Sequence, residues 1–302
     1  MEERGRIIKY HLTKMLLDLG CKIFKNEPLS KHCSFKIGGP ADFFIKVSNK
    51  RALYLLLLIL HKSKYFILGS GTNILFQDEG YRGVIISITG MLNKIYISEG
   101  KIISGAGALL SDIVNVALKN NLTNIECIIG IPGTVGGAVY GNSGFKNGCI
   151  GDIIYGIEIY RNLKKEFVNN ERIEFSYRKT GLGNCVITNV IFMLQKKSGK
   201  NNLKTVIYKN MQKRLKSQPL SMPSAGSVFK NFNGISIGEL IEKSGLKGLR
   251  EGGAQISNIH GNFIVNTGNA SSKDVLILIN LIKKTIQKRF NINPILEIKI
   301  IK

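Results

Sequence analysis

Gly130-Ile131-Pro132-Gly133-Thr134-Val135-Gly136-Gly137-Ala138 packs four glycines and a proline into nine residues. Glycine permits positive φ and close backbone approach, so successive N–H groups can converge on an oxyanion. Two shorter stretches of the same kind lie upstream. Gly69-Ser70-Gly71-Thr72-Asn73 follows the apolar Ile67-Leu68, and Gly105-Ala106-Gly107 follows Ile102-Ile103. Singly, each reads as a turn. Three within about 70 residues point to a large phosphate-bearing cofactor, because a pyrophosphate spreads its charge over many weak donors. Neither standard nucleotide fingerprint is present: Leu110 stands where the dinucleotide motif needs its third glycine, and no Gly-Lys-Ser/Thr closes a phosphate loop. The pattern therefore predicts a flavin dinucleotide held outside a Rossmann fold.

The surrounding chain reads as α+β. Phe43–Val47, Tyr65–Leu68, Val84–Ile88, Ile95–Ile97, Lys101–Ile103, Ile153–Tyr160 and Val186–Leu194 have strand composition, and their spacing is too irregular for a doubly wound sheet. Arg51–Lys62 and Ser111–Asn120 read as helices, the second with Ile113, Val116 and Ala117 on its apolar face. Lys196–Asn202 is polar and reads as a linker. Beyond it, helices are expected over Leu203–Leu215, over Ile237–Ser244 with Gly245 as its stop, and after Ser271. That last helix carries a Ser271–Asp274 capping pair and an apolar face of Val275, Leu278, Ile279, Ile282 and Ile286. Glu297–Ile301 reads as a closing strand.

At 302 residues with 44% hydrophobic content, the chain has enough apolar material for two or three cored domains. No apolar run approaches the roughly 18 residues of a membrane span, and no secretory leader is visible. Five cysteines without paired spacing read as structural thiols in a reducing cytoplasm. The histidines lack partners at ligand spacing, so no metal is expected. The net charge is +23, with Lys and Arg dispersed rather than in blocks. That balance suits a polyanionic small ligand better than dedicated nucleic-acid binding.

Pro223-Ser224-Ala225-Gly226-Ser227-Val228-Phe229-Lys230-Asn231 gathers a hydroxyl, a cation and a carboxamide within five residues. The four-residue spacing of Ser227 and Asn231 predicts a short helical turn aiming both at one ligand. Together with Ser34–Asp42, Leu68–Leu75, Gly130–Val139, Phe175–Thr180, Gly252–Ser257 and His260–Asn266, this stretch resembles the UDP-N-acetylenolpyruvoylglucosamine reductase family, in the family's order and over residues 30 to 302. The chain is similar to the family's shorter type.

The resemblance implies a two-lobed FAD-binding domain of the vanillyl-alcohol-oxidase (PCMH) type over 31–198, with lobes at 31–90 and 91–198. It further implies an α+β substrate-binding domain over 199–302, preceded by an N-terminal helical segment at 1–30. It implies FAD as cofactor, NADPH as co-substrate and a UDP-sugar as substrate, in a cytoplasmic monomer of peptidoglycan synthesis that binds neither nucleic acid nor membrane. Flavin contacts fall on Gly69, Ser70, Gly71, Thr72, Asn73, Gly105, Gly130, Ile131, Pro132, Gly133, Gly136, Gly137 and Ala138. In the implied chemistry, hydride passes from flavin N5 to the enolpyruvyl CH2 and Ser227 supplies the proton to the neighbouring carbon. Arg178 holds the substrate carboxylate and Glu297 steadies the charged intermediate. Tyr177, Arg214, Lys230, Asn231 and Gln255 fall at substrate contacts, with Lys230 or Arg214 meeting the phosphates.

Three stretches depart from the family pattern: Tyr140–Gly144, Phe232, and the register around Glu297. Two competing readings stay open, another FAD enzyme of the same fold and a basic nucleic-acid-binding protein.

Overall fold

The computed structural model describes residues 13–89, 92–145, 148–196 and 203–302. The Lys196–Asn202 linker, apart from Lys196, and the first twelve residues of the N-terminal segment lie outside them. The chain packs as two units. The first takes 13–25 among the described residues, with Phe43–Gly69 and Gly83–Ile207; the second takes Asn26–Asp42, Ser70–Arg82 and Tyr208–Lys302.

Unit 1 is built on two sheets. A four-stranded sheet runs in the order β1 (Lys22–Pro28), β2 (Pro40–Lys46), β5 (Tyr81–Ser87), β3 (Tyr65–Leu68), with β3 parallel to β5. A five-stranded antiparallel sheet runs β10 (Lys164–Asn169), β9 (Ile154–Arg161), β13 (Val186–Met193), β7 (Lys101–Gly105), β6 (Ile95–Ser98). Small pairings join β14 (Gln195–Lys196) to β8 (Leu122–Thr123), and β11 (Phe175–Ser176) to β12 (Lys179–Thr180). The core is mainly aliphatic: Ile102, Ile113, Ile157, Ile159 and Val190 are fully buried, as is the aromatic Phe192. Alternation of isoleucines along β9 places Ile157 and Ile159 on the covered face.

The helices of unit 1 follow the sequence with shifts at their ends. α1 occupies 13–18, and α2 (Lys50–Ile59) opens on Asn49, whose side chain accepts the Ala52 N–H at 2.9 Å. The expected end at Lys62 is two to three residues too long, because Ser63 N–H folds back to the Leu60 carbonyl. On α3 (Leu110–Lys119), the buried stripe is Leu110, Ile113, Val114 and Ala117, so Val114 takes the core place expected for Val116. α4 (Val135–Tyr140) grows out of the long glycine stretch itself, which is therefore half loop and half helix.

Unit 2 carries a four-stranded antiparallel sheet, β15 (Ser224–Ser227), β18 (Phe263–Asn266), β17 (Ala254–Ile256), β16 (Arg250–Glu251). A parallel pair joins β4 (Ile74–Phe76) to β19 (Lys299–Ile301). α5 spans Leu203–Ser217 and α6 Ile237–Lys243, the latter followed by Gly245 at φ +73. α7 (Ser272–Phe290) has the expected capping box, Ser271 Oγ accepting from Asp274 N–H and the Asp274 carboxylate from Ser271 N–H. It buries the five apolar residues named above. Residues 26–42 and 70–82 belong here for physical reasons. Ser34 Oγ donates to the Ser224 carbonyl at 2.6 Å, and the Asp78 carboxylate accepts from Ser272 N–H and Oγ.

Two expectations are overturned. Ser227 and Asn231 do not share a helical turn, because Ser224–Ser227 pairs as a strand with β18 and Phe229 bridges Leu296. Glu297 precedes the closing strand rather than lying in it, since pairing with β4 begins only at Lys299.

Candidate active site

In unit 1 the second and third glycine stretches meet, with Gly69 beside them. Gly136 N–H donates to the Ala106 carbonyl, Val135 N–H to Ala108 and Leu110 N–H to Gly133, lacing the second stretch to the third at 2.8 to 3.0 Å. Gly69 abuts Thr134, where an added Cβ would sit 2.3 Å from Thr134 Oγ1. Thr134 Oγ1 is already engaged as the cap of α4, accepting the Gly137 N–H at 3.3 Å. Glycine at 69 thus keeps the approach close.

The donor inventory sorts these positions. Gly105, Gly136 and Gly137 spend their N–H groups inside the protein, on Lys94, Ala106 and Thr134. Among the described residues, the N–H groups of Ser70, Gly71, Asn73, Gly130, Gly133 and Thr134 donate to no other backbone group. Within unit 1 the unspent donors of Gly130, Gly133 and Thr134, with no carboxylate among them, suit the pyrophosphate of a dinucleotide such as FAD.

Tyr177 and Arg178 form the two-residue tip of the β11–β12 hairpin, with Arg178 at φ +56 and its Cζ 5.3 Å from the Tyr177 ring centroid. The hairpin is tied to the end of α4. Thr180 Oγ1 donates to the Val139 carbonyl, and Asn142 Nδ2 donates to Ser176 O at 2.9 Å while its Oδ1 accepts the Gly151 N–H. Asn142 is 4% exposed and sits in the stretch whose sequence departs from the family pattern. Sequence reading noted the departure and missed its consequence: that loop holds the arginine tip. The Gly141-Asn142 pair is the signal the sequence offered, since Asn tolerates the positive φ it adopts here.

In unit 2, Ser227 ends β15 beside a register shift between Ser224 and Ser227, where Gly226 sits at φ +77. The bulge falls on Ala225 and Gly226, and pairing resumes at Ser227 opposite Phe263. The following residues run between two segments. Glu297 N–H donates to the Val228 carbonyl at 2.8 Å, and Lys230 N–H to Ile295 at 2.9 Å. The backbone thus brings Glu297 alongside the residue after Ser227. Asn73 brackets the same glutamate, its Nδ2 donating to Glu297 O at 3.2 Å and its carbonyl accepting the Lys299 N–H at 3.0 Å.

Arg214 on α5 is 8% exposed. Its Nη2 donates to Gln218 Oε1 at 3.1 Å, its Nε is buried with no partner, and it makes no ion pair among the described residues. Burial pulls its pKa below the usual arginine range. An uncompensated buried cation is costly, which marks the position for an anionic ligand. Lys230 is half-buried and makes no ion pair among the described residues; Asn231 is exposed. Gln255 is 8% exposed with Nε2 donating to the Gly248 carbonyl at 3.0 Å.

The thiols are in reduced form; burial pushes Cys127 up to about 12, with Asp152 and Cys149 adding to the shift. Among the described residues, no cluster of His, Cys, Asp or Glu has the makings of a metal site, and no helix is long and apolar enough to cross a membrane.

Comparison with known proteins agrees with this geometry. The FAD binding domain family matches residues 47–161, and the C-terminal domain of UDP-N-acetylenolpyruvoylglucosamine reductase matches 218–301. The chain is 41% identical over 283 residues to the UDP-N-acetylenolpyruvoylglucosamine reductase of Clostridium novyi, covering 92% of each sequence. It is 38% identical over 288 residues to that of Bacillus subtilis, covering 93% of this chain and 94% of the relative. The crystal structure of the reductase from Thermus caldophilus superposes with a TM-score of 0.81 at 33% identity, over 93% of this chain and 99% of that one.

Proposed function

Since this chain belongs to the UDP-N-acetylenolpyruvoylglucosamine reductase family and is an FAD-binding oxidoreductase of peptidoglycan precursor synthesis, we propose that it reduces the enolpyruvyl ether of UDP-N-acetylenolpyruvoylglucosamine to UDP-N-acetylmuramate with NADPH as electron source. The unspent donors of the 130–134 stretch would hold the cofactor's pyrophosphate. Bound there, the flavin supplies the hydride that adds to the terminal CH2 carbon of the enol ether.

The protein's own residues handle the rest. Addition at CH2 pushes negative charge into the substrate carboxylate, and in a dry site that charge needs fixed donors. Arg178 supplies a planar guanidinium suited to bidentate carboxylate binding, oriented by its hairpin and the Tyr177 ring. Ser227 gives its hydroxyl proton to the carbon next to the carboxylate, completing addition of H⁻ and H⁺ across the double bond. Glu297 steadies the intermediate from the neighbouring segment. Arg214 and Lys230 meet the UDP phosphates, and Tyr177, Asn231 and Gln255 complete the substrate contacts. The flavin-binding region is assigned to 31–198 and the substrate region to 199–302, in a cytoplasmic monomer.

The observation that carries this reading is the Glu297 N–H to Val228 carbonyl bond, which supports placing an acidic side chain alongside the strand that ends at Ser227. The test is anaerobic: protein reduced with NADPH is mixed with UDP-N-acetylenolpyruvoylglucosamine and the flavin band near ~450 nm is followed. Rapid recovery of the band with formation of UDP-N-acetylmuramate supports the reading. Reoxidation by oxygen alone, with the nucleotide inert, points instead to another flavin oxidase.

A further inference from the structure

Beyond Ser227 the β15–β18 ladder gives way, and one side chain takes over its work. Asn262 is 4% exposed. Its Oδ1 accepts the Phe229 N–H at 2.9 Å, and its Nδ2 donates to the Phe229 carbonyl at 2.8 Å. Its main-chain carbonyl accepts the Val228 N–H, also at 2.8 Å. Three bonds from one residue therefore fix the two residues that follow Ser227. Asn262 is held in turn, its own N–H donating to His260 Nδ1 at 3.1 Å. That bond requires the imidazole to be neutral with its proton on Nε2. The ring lies against Phe263 at 5.0 Å between centroids, and Gly238 leaves room for it, since a Cβ there would meet His260 Cε1 at 2.9 Å. The charged groups facing it are Glu242, whose carboxylate accepts the Gly261 N–H, and Lys247.

We infer that Asn262, supported by His260, is a positioning residue for proton delivery: its side-chain clamp on Phe229 sets the direction of the Ser227 hydroxyl. The inference rests on the reading of Ser227 as proton donor. The bulge at Gly226 loosens the ladder just before the serine, whose pairing with Phe263 is its last rung, and the clamp fixes the backbone that leaves it. Phe229 is 1% exposed, so its amide and carbonyl have no water to turn to when Asn262 is changed.

The test separates the two half-reactions and uses a double-mutant cycle. In the full-length flavoprotein, Asn262→Asp keeps the acceptor for Phe229 N–H and opposes the Phe229 carbonyl with an oxygen. Flavin reduction by NADPH is expected to stay within about twofold and nucleotide affinity within about threefold, while reoxidation by the enolpyruvyl substrate slows ~10- to 100-fold. In a Ser227→Ala background the same change should cost under about threefold, because it acts through a hydroxyl no longer present. A full multiplicative loss in that background, or equal slowing of both half-reactions, overturns the inference. Ser227→Ala alone reports on the underlying reading: if it leaves reoxidation unchanged, the proton donor is misassigned and this inference goes with it. Should Asn262→Asp fail to hold flavin, His260 carries the test. His260→Asn keeps an acceptor near the Nδ1 place and should retain most of the reoxidation rate, whereas His260→Phe should lose ~10-fold. Equal rates for the two variants refute the clamp.

Discussion

Replacing Gly69 by Ala is the sharpest probe of how the glycine stretches meet. The added methyl would lie 2.3 Å from Thr134 Oγ1 and 3.4 Å from Thr134 Cβ, so the conflict is with one hydroxyl. Thr134 is 1% exposed and that hydroxyl caps α4 through the Gly137 N–H, so it cannot swing aside at no cost. Losing the cap costs about 1 kcal/mol, and forcing a methyl into a filled site adds about 1–3 kcal/mol. The expected destabilisation is about 3 kcal/mol, roughly 5 °C in apparent Tm for a chain of this size, together with weakened flavin retention. Thr134→Ala should cost only the cap, about 1 kcal/mol. The double variant removes the offending hydroxyl and leaves the new methyl at an ordinary 3.4 Å from the residue 134 Cβ. It should therefore be more stable than Gly69→Ala alone, close to Thr134→Ala. Scanning calorimetry of all four proteins, with released flavin read by fluorescence, decides the matter. A double variant no better than Gly69→Ala, or a Gly69→Ala protein as stable as its parent, refutes the close approach.

Arg214→Met should leave the protein as stable as before, or raise its stability by about 1–2 kcal/mol, because a buried cation with no ion pair among the described residues is removed. The same change should weaken nucleotide binding ~10-fold or more by titration; a drop in Tm with unchanged affinity would show that Arg214 serves the fold and not the ligand. His260 is held below its ordinary value chiefly by burial. The unfolded chain therefore takes up that proton first as the solution is acidified. The stability His260 contributes is present above about pH 6.5 and is lost as the pH falls through the lower folded value. His260→Asn should flatten that acid limb in pH-dependent urea unfolding, and an unaltered profile would contradict the assignment.

The sequence made some layers of this protein plain and hid others for physical reasons. The α7 face and its Ser271–Asp274 box were readable because capping and a 3.6-residue period are local rules. The flavin-type glycine stretches were visible as composition. That many of their N–H groups are already spent was not, because residues such as Gly105, Gly107 and Gly136 find backbone partners 11 to 30 residues away in sequence. At Ser227 the sequence misled as to local structure. Spacing of four suggests a helix, but pairing with Phe263 across the chain overrode the local pattern and made a bulged strand. Asn142 and Asn262 escaped for the same reason: their work is done on Ser176 and Phe229, which no periodicity links to them. The grouping of 26–42 and 70–82 with the C-terminal residues depends likewise on the parallel β4–β19 pair, made between segments more than two hundred residues apart.

The most direct measurement compares the parent protein with Ser227→Ala in anaerobic stopped flow, each half-reaction recorded separately. The account predicts NADPH reduction of the bound flavin at nearly the parental rate and reoxidation by the enolpyruvyl nucleotide slowed several-hundred-fold, within the ~10²–10⁴-fold range of general acid catalysis. Reoxidation at the parental rate in the variant would contradict it.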